Sequence, residues 1–301
     1  MSRKPDANET GEVMGQSIHP ETNIGLVALT VGDLNQSLRY YQNGLGLKLQ
    51  GREGKTVYLG AADKALLVLR EEPNGRSVPQ TTGLYHFALL VPTRLDLARI
   101  FWHLIQTRTA LSGFSDHSVS EAIYLTDPDG HGIEIYRDRP RDEWQYPGGN
   151  LKITVDALDA EGLLGELGDD EPIFTGMPAG TVMGHIHLRV AEIPAAETFY
   201  AGVLGFEVMA RYGKSAVFLA AGGYHHHLGM NTWTGVGVPP PPDDAWRLLW
   251  YEIETADLPG IKQRLEKSKT PFSLVDNTIH VADPSGNQIH IKERTSRRLV
   301  S

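Results

Sequence analysis

Apolar and polar residues alternate along this chain in one pattern written four times: a β-branched run, a helix closed by an aromatic and a Leu-Gly stop, then three short strands. The copies span residues 24–70, 84–137, 183–233 and 248–292. The first and third match most closely. Val31-Gly32-Asp33-Leu34, Arg39-Tyr40-Tyr41 and Leu45-Gly46-Leu47 answer to Val190-Ala191-Glu192-Ile193, Thr198-Phe199-Tyr200 and Leu204-Gly205-Phe206. A second tag, Asp127-Pro128-Asp129-Gly130 in one copy and Asp283-Pro284-Ser285-Gly286 in another, has turn chemistry and precedes the last strand. A repeat of this length decides the fold before any single element does.

Each copy predicts a βαβββ module. The strands with the clearest alternation fall at 24–31, 65–70, 85–91, 132–136, 185–190, 224–231 and 249–254. The helices fall at 33–41, 95–107, 195–204 and 258–267. One module leaves a face of its small sheet bare, so modules must pair. The expected fold class is α+β, with four βαβββ modules paired into two domains. The expected division is a flexible tail at 1–17, a first domain at 18–140 holding modules 1 and 2, and a second at 181–295 holding modules 3 and 4. Between them, 141–180 is rich in Gly, Asp and Pro and reads as a connector with one helical piece near 158–168.

A length of 301 residues, 41% hydrophobic and 22% charged, suits two cored globular domains. The net charge of −9 counts against a nucleic-acid partner, which needs clustered Lys and Arg. There is no cysteine, so a metal must be held by His, Asp or Glu. The opening residues lack the apolar core of a signal peptide and no run of about 18 apolar residues occurs, so no membrane span and a cytoplasmic location are expected.

Counting back equally from the strand ends places Leu26, His86, His185 and Trp250 at one position of the four first strands. Counting on from the turns places Val68, Glu134, His227 and His290 at one position of the last strands. Two neutral imidazoles and one carboxylate on one side of an ion, with open positions opposite, form the ligand set of non-haem Fe(II) oxygenases, and His86, His185 and Glu134 supply it. A lone histidine in an apolar strand is ordinarily a packed core residue. Three residues at equivalent repeat positions argue against that, as does a carboxylate set between Ile133 and Ile135.

In a strand, His225 and His227 face one way and His226 the other, and one of them has the chemistry of a general acid or base. The plain alternative is a half-exposed polar strand. Tyr124 stands ten residues before Glu134 on the preceding strand of the same hairpin, within reach of a substrate oxygen. His117, just before that strand, would line the entrance.

The βαβββ copies, their Leu-Gly stops and the run from Asp127 to Tyr136 resemble the vicinal oxygen chelate superfamily. Within it, residues 83–88, 183–188 and 224–233 resemble the bacterial catechol 2,3-dioxygenases, and the likeness runs over 18–293. The resemblance implies an extradiol dioxygenase that takes a small aromatic diol and O2, with Fe(II), or Mn(II) on the same donors, bound by His86, His185 and Glu134. It further implies His226 or His227 as acid or base, with Tyr124 and His117 in the active site. Association into a homo-oligomer through sheet edges is expected. The better-known extradiol enzymes take all their ligands from the third and fourth modules, where this chain has Trp250 and His290, so modules 2 and 3 are expected to share the metal. Pairing within each half is the competing arrangement, leaving His185, His227 and His290 as an incomplete site. Two other functions stay open: a glyoxalase-like isomerase or lyase with His227 as fourth ligand to Ni or Zn, and a binding protein without turnover.

Overall fold

A computed structural model of the chain describes residues 17–168 and 174–294, so the expected tail lies, but for Ser17, outside the described residues. Module 1 comprises β1 (Asn23–Val31), α1 (Leu34–Arg39), β2 (Lys48–Glu53), β3 (Thr56–Ala61) and β4 (Lys64–Glu71). Module 2 comprises β5 (Gly83–Leu90), α2 (Arg94–Gln106), β6 (Leu111–Asp116), β7 (Ser120–Thr126) and β8 (Gly132–Asp138). The connector carries the short helix α3 (Ala160–Gly165). Module 3 follows with β9 (Val182–Arg189), α4 (Ile193–Glu197), β10 (Glu207–Tyr212), β11 (Ala216–Ala220) and β12 (Leu228–Asn231). Module 4 has β13 (Leu248–Thr255), α5 (Leu258–Lys267), β14 (Phe272–Val275), β15 (Thr278–Ala282) and β16 (Gln288–Glu293).

The repeated sequence tags turn out to be one device. In module 1, Asp33 caps α1 by accepting the N–H groups of Asn35 and Gln36. The chain then widens into a π-helical turn at Tyr40–Gly44 and stops at Gly46, whose φ of +74° suits glycine. This turn presents Tyr41, whose hydroxyl donates to Asp127 Oδ2 at 2.8 Å. The other oxygen of Asp127 accepts the turn N–H groups of Asp129 and His131. Module 3 repeats the arrangement, with Tyr200 donating to Asp283 Oδ2 at 3.0 Å and Asp283 Oδ1 holding Ser285 and Asn287. The aromatic of one module's helix therefore fixes the last hairpin of the next.

Among the described residues, the strands form two eight-stranded sheets, ordered β14-β15-β16-β13-β1-β4-β3-β2 and β10-β11-β12-β9-β5-β8-β7-β6. Module 1 shares a sheet with module 4, and module 2 with module 3. The contiguous division at 18–140 and 181–295 is therefore not the division of the sheets. Its reason lies in the linkers. Residues after β4 and residues before β13 run beside each other between the sheets, joined by the Arg76–Asp244 ion pair at 2.8 Å and by the Thr82 N–H on the Pro239 carbonyl. The connector after β8 instead returns the chain to the same sheet, where β9 lies antiparallel to β5.

Alternation sorts each central strand into two faces. Val27 and Leu29, Phe87 and Leu89, Ile186 and Leu188, and Tyr251 and Ile253 are buried in one continuous core shared by both sheets. The opposite face carries Leu26 and Ala28, His86 and Ala88, His185 and His187, and Trp250 and Glu252. That second face holds the candidate chemistry.

Candidate metal centre

Glu134 on β8, Ala88 on β5 and His185 on β9 lie in one row across three neighbouring strands. With strands about 4.8 Å apart, a carboxylate and an imidazole rise on either side of a single methyl group. His86 enters from the next position of its face. A register shift between Leu84 and His86 marks an extra residue at Tyr85, so Tyr85 and His86 both lie against His187, as a bulge permits. The result is a tight triangle: His86 Nε2 to Glu134 Oε2 is 3.0 Å, His185 Nε2 to Glu134 Oε2 is 3.1 Å, and the two Nε2 atoms are 3.3 Å apart. All three residues are buried.

An ion with bonds near 2.1 Å and right-angled ligands spaces its donor atoms about 3.0 Å apart, and a tetrahedral one about 3.4 Å. The triangle falls between these values, so the donor set fits a divalent cation. Electrostatics agree. Burial lowers the pKa of His86 and keeps its ring neutral, against the pull of Glu134. Burial alone would raise Glu134, but the imidazoles of His185 and His86 outweigh it and hold the carboxyl well below its usual range. A neutral His86 ring and an ionised Glu134 are forms a metal requires. Among the described residues, His185 Nδ1 is buried with no partner and Nε2 is the ring's one engaged nitrogen.

The same row in the other sheet reads Val68, Ala28 and Trp250. There Trp250 stacks on His290 with centroids 4.5 Å apart, and His290 packs on His280 at 3.9 Å. His185 and His290 stand in different sheets, so a site built from His185, His227 and His290 does not form.

Tyr124 pairs directly across from Glu134. Its oxygen is 2.6 Å from His117 Nε2, and His117 Nδ1 is 2.6 Å from the carbonyl oxygen of Thr154. The carbonyl can only accept, so His117 carries its proton on Nδ1 and Nε2 accepts from the Tyr124 hydroxyl. The Tyr124 pKa stands well above its usual value, through burial and then the charge of Glu134.

The histidine triplet departs from the sequence reading. β12 begins only at Leu228, so Tyr224 to His227 form a loop in which strand alternation does not apply. Gly222 and Gly223, with φ of +59° and +65°, turn the chain there. His226 packs against His185 with ring centroids 4.2 Å apart. His227 turns back, and its Nδ1 accepts the Ala221 N–H at 3.2 Å. The residue equivalent to Glu134 in module 3 is Gly229, paired with His187 as Glu134 is with Ala88. A Cβ at Gly229 would stand 2.8 Å from the His187 ring, so that position carries no ligand. His227 is two residues out of register because the loop before β12 is not the tight Asp-Pro turn of modules 2 and 4.

Four residues that the sequence reading passed over also line the centre. His187 sits 5.0 Å from the His86 ring, held by the Asn231 amide at 3.0 Å from its Nε2. Tyr85 and Trp233 pack against His187 at 5.0 and 5.5 Å, and Phe218 lies 5.1 Å from His226. The signal for His187 was present in His185-Ile186-His187, since alternation puts both histidines on one face. The aromatic wall had no such signal, because Trp233 and Phe218 belong to other strands and loops.

A family model described as the Glyoxalase/Bleomycin resistance protein/Dioxygenase superfamily matches residues 23–135 and 182–291. A catechol-2,3-dioxygenase of Bacillus subtilis (strain 168) is 42% identical over 276 residues, 89% of this chain and 96% of that protein. Among solved structures, a Bacillus subtilis protein provisionally assigned as a dioxygenase aligns at a TM-score of 0.61 with 13% identity, over 93% of this chain and 86% of that one. Glyoxalase I from Zea mays aligns at 0.55 with 16% identity, over 91% and 92% of the two chains. Both structural likenesses speak for the fold alone. With the family model spanning most of the chain, this protein belongs to the Glyoxalase/Bleomycin resistance protein/Dioxygenase superfamily.

Proposed function

We propose that the protein is an extradiol dioxygenase, opening the ring of catechol or a substituted catechol beside the diol with both atoms of O2 to give a muconic semialdehyde. The observation that carries this reading is the triangle of His86 Nε2, His185 Nε2 and Glu134 Oε2 on three adjacent strands, with aromatic side chains beside it. The 42% identical Bacillus protein named for this activity supports it. His86, His185 and Glu134 would hold Fe(II), which supplies a centre where an adjacent pair of substrate oxygens and O2 are brought together. Mn(II) suits the same donors.

The chain's own residues do the rest. His226 takes a proton from a substrate hydroxyl and returns it to the product. Its pKa is held well below the usual histidine value by burial and by the neighbouring imidazoles, so it rests neutral. Tyr124, its own proton committed to His117 Nε2, offers oxygen lone pairs to the other hydroxyl. Phe218, Tyr85 and Trp233 present ring faces and edges to an aromatic substrate and keep water away.

A glyoxalase-like reaction with His227 as fourth ligand is less well supported, because the His227 Nδ1 is occupied by the Ala221 N–H. The test is to load the protein anaerobically with Fe(II), add catechol and admit air. A visible absorption band from the ring-opened product is expected, with no turnover of hemithioacetals. Turnover of hemithioacetals without cleavage of catechols would reverse the choice.

A further inference from the structure

We infer that Asp138 and His225, through a chain of fixed hydrogen bonds, set the tautomer of His226 so that its Nε2 meets the substrate as a bare lone pair. Three contacts define the chain. His225 Nε2 is 2.9 Å from Asp138 Oδ1, His225 Nδ1 is 2.7 Å from His226 Nδ1, and the Tyr224 hydroxyl donates to the same Asp138 oxygen at 3.1 Å. The Tyr136 hydroxyl, 2.8 Å from that of Tyr224, completes the chain on the protein side.

The proton positions follow from what each group can do. An ionised carboxylate only accepts, so His225 carries a proton on Nε2. A neutral ring holds one proton, so with Nε2 protonated the second nitrogen of the buried His225 ring is bare. Two ring nitrogens 2.7 Å apart need one proton between them. With His225 Nδ1 bare, that proton belongs to His226 Nδ1, and a neutral His226 then has no proton on Nε2. Among the described residues, His226 Nε2 has no hydrogen-bond partner, and its ring lies against His185.

The reverse tautomer would present an N–H to the substrate hydroxyl and could not take its proton. When His226 does take it, the new ring cation keeps its Nδ1–H on His225, and His225 keeps its Nε2–H on Asp138. One proton moves, from substrate oxygen to Nε2, and no other. Asp138 and His225 touch neither the substrate nor the ligand atoms of the centre. They are positioning residues, as a carboxylate behind a histidine is elsewhere.

Their catalytic part rests on the extradiol reading, but the tautomer does not, and it is read directly. Long-range 1H–15N correlation spectra of the metal-free, 15N-labelled protein report which ring nitrogens carry protons, with His225→Gln and His226→Gln used for assignment. We expect a proton on His226 Nδ1 with Nε2 bare, and a proton on His225 Nε2. In Asp138→Leu the preference at His226 should be lost, with kcat for catechol down about tenfold or more and KM changed less than about twofold. A proton on His226 Nε2 in the unsubstituted protein, or a doubly protonated His225, overturns the inference. So does an Asp138→Leu protein that keeps both the tautomer and kcat. If the unsubstituted protein shows the expected tautomer but cleaves no catechol, the extradiol reading fails and the hydrogen-bond chain stands.

Discussion

Replacing Glu134 by alanine is expected to abolish metal binding and ring cleavage together while leaving the fold intact. The carboxylate is the one anion in the triangle, and without it two neutral imidazoles 3.3 Å apart would face a dication alone. Loss of a residue behind a ligand commonly costs about 10–100-fold in metal affinity, so loss of the ligand itself should exceed about 100-fold. Titration of Fe(II) under nitrogen, with metal content after desalting, checks this against the catechol assay. The fold should survive because Glu134 contributes no apolar contact to the core, and its removal relieves a buried charge. Ala88→Leu tests the same site from its floor. The added carbons would fill the gap between Glu134 and His185 and displace the metal, at about 1–3 kcal/mol of overpacking. An Ala88→Leu protein with unchanged metal affinity would show that the row across β8, β5 and β9 does not define the site.

The largest expected loss of stability comes from Glu121→Ala, outside the triangle. Glu121 is 1% exposed and receives Arg94, Arg137 and Arg139. Arg94 also reaches the Gly162 carbonyl and the Glu166 carboxylate, tying α2 to the connector helix α3. Removing the carboxylate leaves Arg137, itself 8% exposed, without its buried counter-charge, a change that typically costs about 3–5 kcal/mol. The pH dependence has a definite sign. Burial pushes the Glu121 carboxyl up, but Arg94 and Arg137 overcome this and lower its pKa. A carboxyl lowered in the folded state adds stability that is fully present above its unfolded pKa, about 4.3, and is lost as pH falls through the folded value. Guanidinium unfolding at pH 7 and at pH 3 should therefore separate wild type from Glu121→Ala clearly at the first pH and much less at the second. Equal separation at both would mean that packing, not charge, is what Glu121 contributes.

The modules were legible in the sequence because helix stops and Asp-Pro turns recur with little change, and those residues have mechanical roles. Tyr41 and Tyr200 lock Asp127 and Asp283 in corresponding ways. His86, Glu134 and His185 could be aligned for the same reason: each is placed by a strand whose end is marked. On which modules share a sheet the sequence pointed two ways: the metal donors joined module 2 to module 3, whereas the division into domains joined 1 to 2 and 3 to 4, and the sheets follow the donors. That sharing depends on linkers around Arg76 and Asp244 whose pairing has no local pattern.

His227 was misplaced because alternation was carried across Tyr224 to Leu228, where the backbone is a loop and the strand starts later than its composition indicates. The importance of His225 was hidden for a related reason. Its partner Asp138 ends β8 far away in sequence, and only the sheet order brings the two together. Tyr85 escaped notice because an extra residue in β5 puts it on a face that strict alternation would deny it. Loops and bulges at the centre are where period-two reasoning stops working.

The central claim is that modules 2 and 3 share one metal. Diffraction from Fe(II)-loaded crystals on the two sides of the iron absorption edge tests it most directly. A single anomalous peak is expected, in contact with His86 Nε2, His185 Nε2 and a carboxylate oxygen of Glu134. A peak bound to residues of the β13–β1 sheet, or bound to His185 without His86 and Glu134, would contradict it.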